Sequence, residues 1–221
     1  MPRLIVFDSY VTLFQLKPLE RLAEALYPGA GHGLAGLWQQ KKLEYAWVRS
    51  MNHRYDDFWT IAEEALAVAA RTLRLPLSHT ARTQLMRAQL ALPAYPDVAP
   101  AMLQLHERGV PLAILSQGTP AMLRPLVQRN RLDTLVSAIL SADLAKSYKP
   151  CLAAYRLVQD RLGVLPAEAL FVTAHGWDIS GAAAAGFGTA WIQREGQPFD
   201  QLGVEPDLEL EELTELIDQV K

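Results

Sequence analysis

The feature that most constrains this chain is its first strand-length apolar run and the residue that ends it. Leu4-Ile5-Val6-Phe7 is followed at once by Asp8. An unbroken hydrophobic run of this length suits a strand buried on both faces, as the strands of parallel sheets are. In open sheets of that kind the ligand sits just beyond the carboxyl ends of the strands. A carboxylate there is placed for chemistry. A hydroxyl, Thr12, follows four residues later, close enough for a loop to bring it back to the same spot.

The rest of the chain supplies the sheet that such a strand needs. From about Leu19 to Leu92 it reads as helix after helix, with Leu22, Ala25 and Leu26 on one face of the first. A turn at Pro28-Gly29 and a Gly-rich stretch to Gly36 then lead into a helix from Leu37 through Trp47. Phe58–Leu73 and Pro76–Leu92 give two more. From about Pro93 strands and helices alternate. A helix over Val98–Glu107 is stopped by Arg108-Gly109, and a strand over Pro111–Leu115 ends at Ser116. A helix over Pro120–Arg129 and a short apolar segment over Val136–Leu140 follow. After Tyr148-Lys149-Pro150 comes a helix to about Leu162, then a strand over Ala169–Val172 ending at Thr173. A helix over Asp178–Ala185, a strand over Thr189–Ile192 and a closing helix over Leu210–Val220 complete the pattern. Alternation of this kind predicts a doubly wound, Rossmann-like α/β parallel sheet. Residues 1–16 and 93–221 would form the core and 17–92 an inserted helical cap. Strand ends in a parallel sheet converge on one rim. Asp8, Ser116, Thr173 and Asp178 would meet there, with Lys149 reaching in from a loop.

Composition narrows the function classes. The chain has 221 residues, is 50% hydrophobic and carries a formal net charge of −3, so one large domain with a cap can bury its core. No basic run offers a nucleic acid or a membrane surface an electrostatic footprint. The single cysteine, Cys151, allows no disulfide framework within the chain and fits a reducing compartment. No apolar run reaches membrane-spanning length, and the first strand starts too early to leave room for a signal peptide. The expectation is a soluble cytoplasmic protein without a cofactor.

Four segments then carry a resemblance. Asp8-Ser9-Tyr10-Val11-Thr12-Leu13-Phe14 resembles the first motif of the haloacid dehalogenase superfamily, an aspartate with a threonine four positions on. Leu115-Ser116-Gln117-Gly118 is similar to the second motif and Tyr148-Lys149-Pro150 to the third. Phe171-Val172-Thr173 through Trp177-Asp178 is similar to the fourth. Tyr10, where phosphatase branches carry a second aspartate as general acid, points to the L-2-haloacid dehalogenase branch, since a phenol is a poor acid at neutral pH. Leu37-Trp38-Gln39-Gln40-Lys41-Lys42-Leu43-Glu44-Tyr45 resembles the first cap helix of that branch, and Tyr155 fits its pattern.

The resemblance implies a small 2-substituted carboxylate as substrate, no metal and a homodimer. Asp8 would attack C2 to form an ester that water then hydrolyses, giving a 2-hydroxy acid of inverted configuration. Lys149 would stabilise the charge, and Asp178 would orient Lys149 or help activate the water. Thr12, Ser116 and Thr173 would donate hydrogen bonds to Asp8 or the substrate. Tyr10, Gln40, Leu43, Phe58 and Trp177 would form the apolar side of the pocket, while Trp38, Trp47 and Trp59 read as core or dimer contacts.

The departures fall around the leaving group. The arginine that helps hold halide in the family is Gln39 here, and two asparagines are Gln117 and His175; the glycine before Thr12 is Val11. Losing a charged donor costs on the order of a few kcal/mol in a transition state. Either protonated His175 replaces the arginine, or the leaving group is an amine, as in ring-opening of azetidine-2-carboxylate. A phosphatase and a non-catalytic carboxylate-binding member are the rival readings.

Overall fold

The computed structural model describes residues 2–194, 196 and 198–219. Strand β1 (Leu4–Phe7) is followed by four helices, α1 (Lys17–Leu26), α2 (Gly31–Met51), α3 (Phe58–Thr72) and α4 (His79–Ala88). The alternating part comprises α5 (Val98–Glu107), β2 (Leu112–Ser116), α6 (Pro120–Arg129), β3 (Ala138–Ser141), α7 (Leu152–Leu162), β4 (Ala169–Thr173), α8 (Gly176–Ala184) and β5 (Gly188–Ile192). It closes with β6 (Leu208–Leu210) and α9 (Leu216–Gln219).

Within the six-stranded sheet every pairing is parallel, in the order β3-β2-β1-β4-β5-β6. The chain winds outward from β1 in one direction through β2 and β3, then in the other through β4, β5 and β6. The switch point therefore lies at β1 and β4, which puts Asp8 and Thr173 side by side at the binding crevice.

Strand periodicity divides the apolar side chains between two cores. Ile5, Phe7, Leu112, Ile114, Leu170 and Val172 enter a cluster that continues into the first four helices through Leu34, Trp38 and Leu66. Leu4, Val6, Ala113, Leu115 and Phe171 face the opposite cluster with Tyr155, Val158 and Phe187. With both faces covered, uninterrupted apolar strands are the physical requirement.

Two expectations are corrected. The Gly-rich stretch to Gly36 is not a connection: α2 already begins at Gly31. A Cβ on Gly31 would lie 2.2 Å from the backbone of Glu24, so glycine lets α1 and α2 touch. Burial of Leu34, Ala35 and Trp38 one to two turns later offsets the poor helix propensity. The expected closing helix over Leu210–Val220 starts too early. Leu208 and Leu210 pair with Ala190 and Ile192 as a sixth strand, and helical turns begin only at Leu213. Glu209 between them is exposed, the period-two signature of an edge strand. Val220 lies outside the described residues.

Candidate active site

A buried chain of charges begins at the tip of β1. Lys149 Nζ donates to Asp8 Oδ1 at 2.8 Å and to Asp178 Oδ2 at 2.6 Å, and the Tyr155 hydroxyl donates to Asp178 Oδ1 at 2.5 Å. Lys149 and Asp178 are fully buried, and Asp8 is 4% exposed. Burial alone would push the lysine's pKa down, but the charges of Asp178 and Asp8 and their hydrogen bonds outweigh it and hold it above the ordinary value. Burial raises Asp178 above the usual carboxylate range against the pull of Lys149. The ammonium is thus fixed in its charged form beside Asp8. Gly181 makes room for this chain, because a Cβ there would meet the Tyr155 hydroxyl at 2.3 Å. No periodicity argument could have found that requirement.

Lys149 is also held through its backbone. Gln117 Nε2 donates to the Lys149 carbonyl at 2.8 Å, and the Lys149 N–H donates to Gln117 Oε1 at 2.9 Å. Trp47 Nε1 donates to the same carbonyl at 3.0 Å. Gln117 is thus a clamp on the loop carrying the lysine while it lines the cavity.

The loop after β1 folds back as Thr12 requires. Leu13 and Phe14 N–H groups both donate to the Ser9 carbonyl. The Thr12 hydroxyl donates to Asp8 Oδ2 at 3.0 Å and accepts from the Ala174 N–H at 3.0 Å. Both Asp8 oxygens therefore have donors. Arg194 braces the loop from outside: its Nε donates to the Thr12 carbonyl while its guanidinium grips both oxygens of Asp97 at 2.8 and 2.9 Å.

Val11 makes this turn at φ 65°, a left-handed conformation that a β-branched residue adopts at a cost of about 1–3 kcal/mol. Val11→Gly should therefore raise stability by about 1 kcal/mol, after subtracting the greater freedom glycine gives the unfolded chain. Urea unfolding midpoints of the two proteins test this, and a lower midpoint for the glycine variant would refute it.

A cavity of about 90 Å³ lies against Asp8, lined among others by Tyr10, Val11, Gln39, Leu43, Phe58, His175 and Trp177. It opens beside a larger cleft of about 350 Å³ that shares Val11, His175 and Trp177. His175 Nε2 lies 3.3 Å from the Tyr10 carbonyl and 3.9 Å from Asp8 Oδ2, and its ring stacks on Trp177 at 5.2 Å. With a carbonyl as nearest partner, Nε2 is assigned the hydrogen. Burial and the charge of Asp8 hold the Tyr10 phenol above its ordinary pKa, so it stays protonated.

One expected residue is placed elsewhere, and two others are engaged by the turns at the strand ends. Gln40 is exposed and absent from the cavity wall, because one helical position turns it about 100° away from Gln39. The Ser116 hydroxyl, fully buried, pairs with Ser9 Oγ at 2.5 Å and accepts from the Gly118 N–H at 3.1 Å. Thr173 Oγ1 accepts from the His175 N–H at 3.2 Å. Both hydroxyls accept from backbone N–H groups of the strand-end turns, while the Asp8 oxygens take their hydrogen bonds from Lys149 and Thr12.

Two lining residues, Leu16 and Lys42, went unread in the sequence. Lys42, 4% exposed, projects into the cavity wall. Its Nζ lies 5.1 Å from the Trp38 ring centroid and 5.9 Å from those of Tyr10 and Phe58, and it donates to Gln89 Oε1 at 2.9 Å. Burial lowers its pKa to about 7. The spacing of Gln39, Lys42 and Leu43 was the available signal, since residues three and four apart share a helix face. Among the described residues, His, Cys, Asp and Glu gather nowhere in a group able to hold a metal ion.

The family model for haloacid dehalogenase-like hydrolases matches residues 2–186. The (S)-2-haloacid dehalogenase 4A of Burkholderia cepacia is 41% identical over 197 residues, covering 89% of this chain and 85% of that protein. A crystal structure of an L-2-haloacid dehalogenase superposes with a TM-score of 0.96 at 38% identity, covering 99% of this chain and 98% of that one. The L-2-haloacid dehalogenase of Xanthobacter autotrophicus with chloropropionic acid covalently bound gives 0.93 at 33% identity, covering 100% and 98%. The match spans the strand that bears Asp8, the loop that bears Lys149 and the helix that bears Asp178, and the chain belongs to the haloacid dehalogenase-like hydrolase family.

Proposed function

We propose that this protein hydrolyses small 2-haloacids through an ester on Asp8. The observation that carries the reading is the carboxylate itself, at the switch point of the sheet, facing a small cavity with Lys149 and Thr12 on its two oxygens. An Asp8 oxygen forms a bond to C2 while the C2–halogen bond breaks from the opposite face, and the halide leaves with the electron pair. Water then attacks Cγ of the Asp8 ester. The Cγ–O bond to the substrate breaks, Asp8 regains its carboxylate and a 2-hydroxy acid of inverted configuration departs. The sum is haloacid and water in, hydroxy acid, halide and one proton out. Lys149 stabilises charge on Asp8 in both steps, and Asp178, with both oxygens engaged, orients Lys149. Residues 17–92 act as the cap, supplying Gln39, Leu43 and Phe58 to the wall that limits substrate size.

The names of the relatives support halide as the leaving group and lend nothing to a ring amine. A phosphatase reading lacks a second carboxylate at Tyr10, the position from which an acid would serve an alcohol leaving group. A single turnover in heavy-oxygen water, with enzyme in excess over (S)-2-chloropropionate, tests the ester. The heavy atom is expected in the peptide containing Asp8 and not in the first lactate formed. Label in that lactate and none on Asp8 would mean direct attack by water, and the ester would be ruled out.

A further inference from the structure

We propose that Lys42, together with the Tyr10 hydroxyl and the Gln39 amide, forms the site that receives the departing halide, and that Lys42 is a catalytic residue of this protein. The inference rests on the dehalogenase reading and names the group that makes it work without the expected arginine. Three observations converge on it. Lys42 is a buried ammonium that no carboxylate neutralises: its hydrogen bond goes to the neutral Gln89, and its Nζ lies over the rings of Trp38, Tyr10 and Phe58. A cation buried without a counter-charge is costly, and the cost is recovered when an anion arrives. Secondly, Tyr10 Oη and Gln39 Nε2 are buried atoms without a hydrogen-bond partner among the described residues, and both side chains line the same cavity as Lys42. A cation and two idle donors around one small space select an acceptor, and a negative one above all. Thirdly, Asp8 and Lys42 line that cavity from different layers, the end of strand β1 and helix α2, and Lys42's polar partner is Gln89 rather than Asp8. A substrate between them can be attacked from the sheet side and release its halide toward the helix.

His175 does not take this part. It is engaged with the Tyr10 carbonyl and lies against Asp8 Oδ2, on the nucleophile's side. A positive Lys42 also opposes departure of an ammonium group, so the site discriminates against the amine reading.

The titratable groups facing the cavity are Asp8, Tyr10 and His175 besides Lys42, with Lys149 behind Asp8. Since Lys42 loses its charge near neutrality, anion binding should weaken as pH rises through that range. Bromide is the probe, read by quenching of tryptophan fluorescence in the intact protein. It is expected to bind at pH 6 and to bind about 10²-fold more weakly at pH 9, where about 1% of Lys42 remains charged. Lys42→Met should abolish the pH-dependent part, whereas Lys42→Arg, whose charge persists, should keep bromide binding at pH 9.

In single turnovers Lys42→Met should slow ester formation by about 10²-fold for the 2-chloro substrate. The loss should be smaller for bromo and smaller again for iodo, since better leaving groups need less help, with ester hydrolysis unchanged. An equal loss for all three halides would mark Lys42 as a packing residue and overturn the inference. So would bromide binding that follows His175→Gln rather than the Lys42 variants. If the wild-type protein releases no halide from any of the three acids, the dehalogenase reading itself falls, a result distinct from either.

Discussion

Changing Asp8 to asparagine reduces halide release from (S)-2-chloropropionate by about 10⁴-fold, the loss expected when a covalent nucleophile is removed. The substitution is nearly isosteric. Lys149 can still donate to the amide oxygen, and the Thr12 hydroxyl can turn to accept from the amide N–H in place of donating to Oδ2, so the fold should stay intact while the attacking atom loses its negative charge. Two measurements check this together: the thermal midpoint, expected within a few degrees of wild type, and the single-turnover rate. Mass spectrometry of the peptide containing residue 8 guards against reversion of the amide to acid. A variant that retains a tenth of the wild-type rate with its asparagine intact would remove Asp8 from the chemistry.

The second large effect belongs to Lys149. Lys149→Met leaves Asp8 and Asp178 facing each other in a site where both are almost wholly buried. Breaking a buried ion pair on one side costs about 3–5 kcal/mol, and the rate should fall by about 10³-fold with the loss of its charge. The pH dependence has a definite sign. In the wild-type protein the lysine's pKa is raised above 10.5, so its contribution is complete at neutral pH and is lost only as pH climbs through the raised value. In the variant Asp178, already raised by burial, loses its cation and rises further. The folded state then holds a proton that the unfolded state has released, and stability falls as pH rises above the ordinary aspartate range. Urea midpoints should be higher at pH 5 than at pH 8. Adding Asp178→Asn should recover much of the stability and none of the rate. A single variant equally stable at both pH values would show that Lys149 is not what keeps the carboxylates together.

Much of this architecture could be read from the chain because apolar runs ending in polar residues leave few alternatives. Leu4–Phe7, Leu112–Ser116 and Ala169–Thr173 are buried throughout, and so were legible as strands. The meeting of Asp8, Lys149 and Asp178 at one rim followed from strand ends and motif spacing, whereas Tyr155 stood out only as part of the family pattern and its hydrogen bond to Asp178 was not legible. What escaped has physical causes. Leu208–Leu210 is too short for a period-two pattern to stand out beside the acidic run that follows it. Gly31 looked like a helix breaker because the sequence does not show how close Glu24 comes. Ser116 and Thr173 were correctly placed at strand ends, but the sequence does not show that backbone N–H groups there donate to both hydroxyls or that Ser116 also pairs with Ser9. Lys42 was the costliest omission. A lysine between Lys41 and Leu43 reads as a solvated charge, and only the packing of α2 against Tyr10 and Phe58 turns it inward.

Position 42 also affects how this enzyme would fare under laboratory selection. A basic side chain held in grease with no counter-ion is a thermodynamic liability below its titration range, and methionine of similar length would relieve it. A screen for heat resistance alone would discard this lysine early and report the change as an improvement. A screen for chloride in the medium would keep it. Where two such screens disagree at one residue, the protein is spending robustness on its reaction.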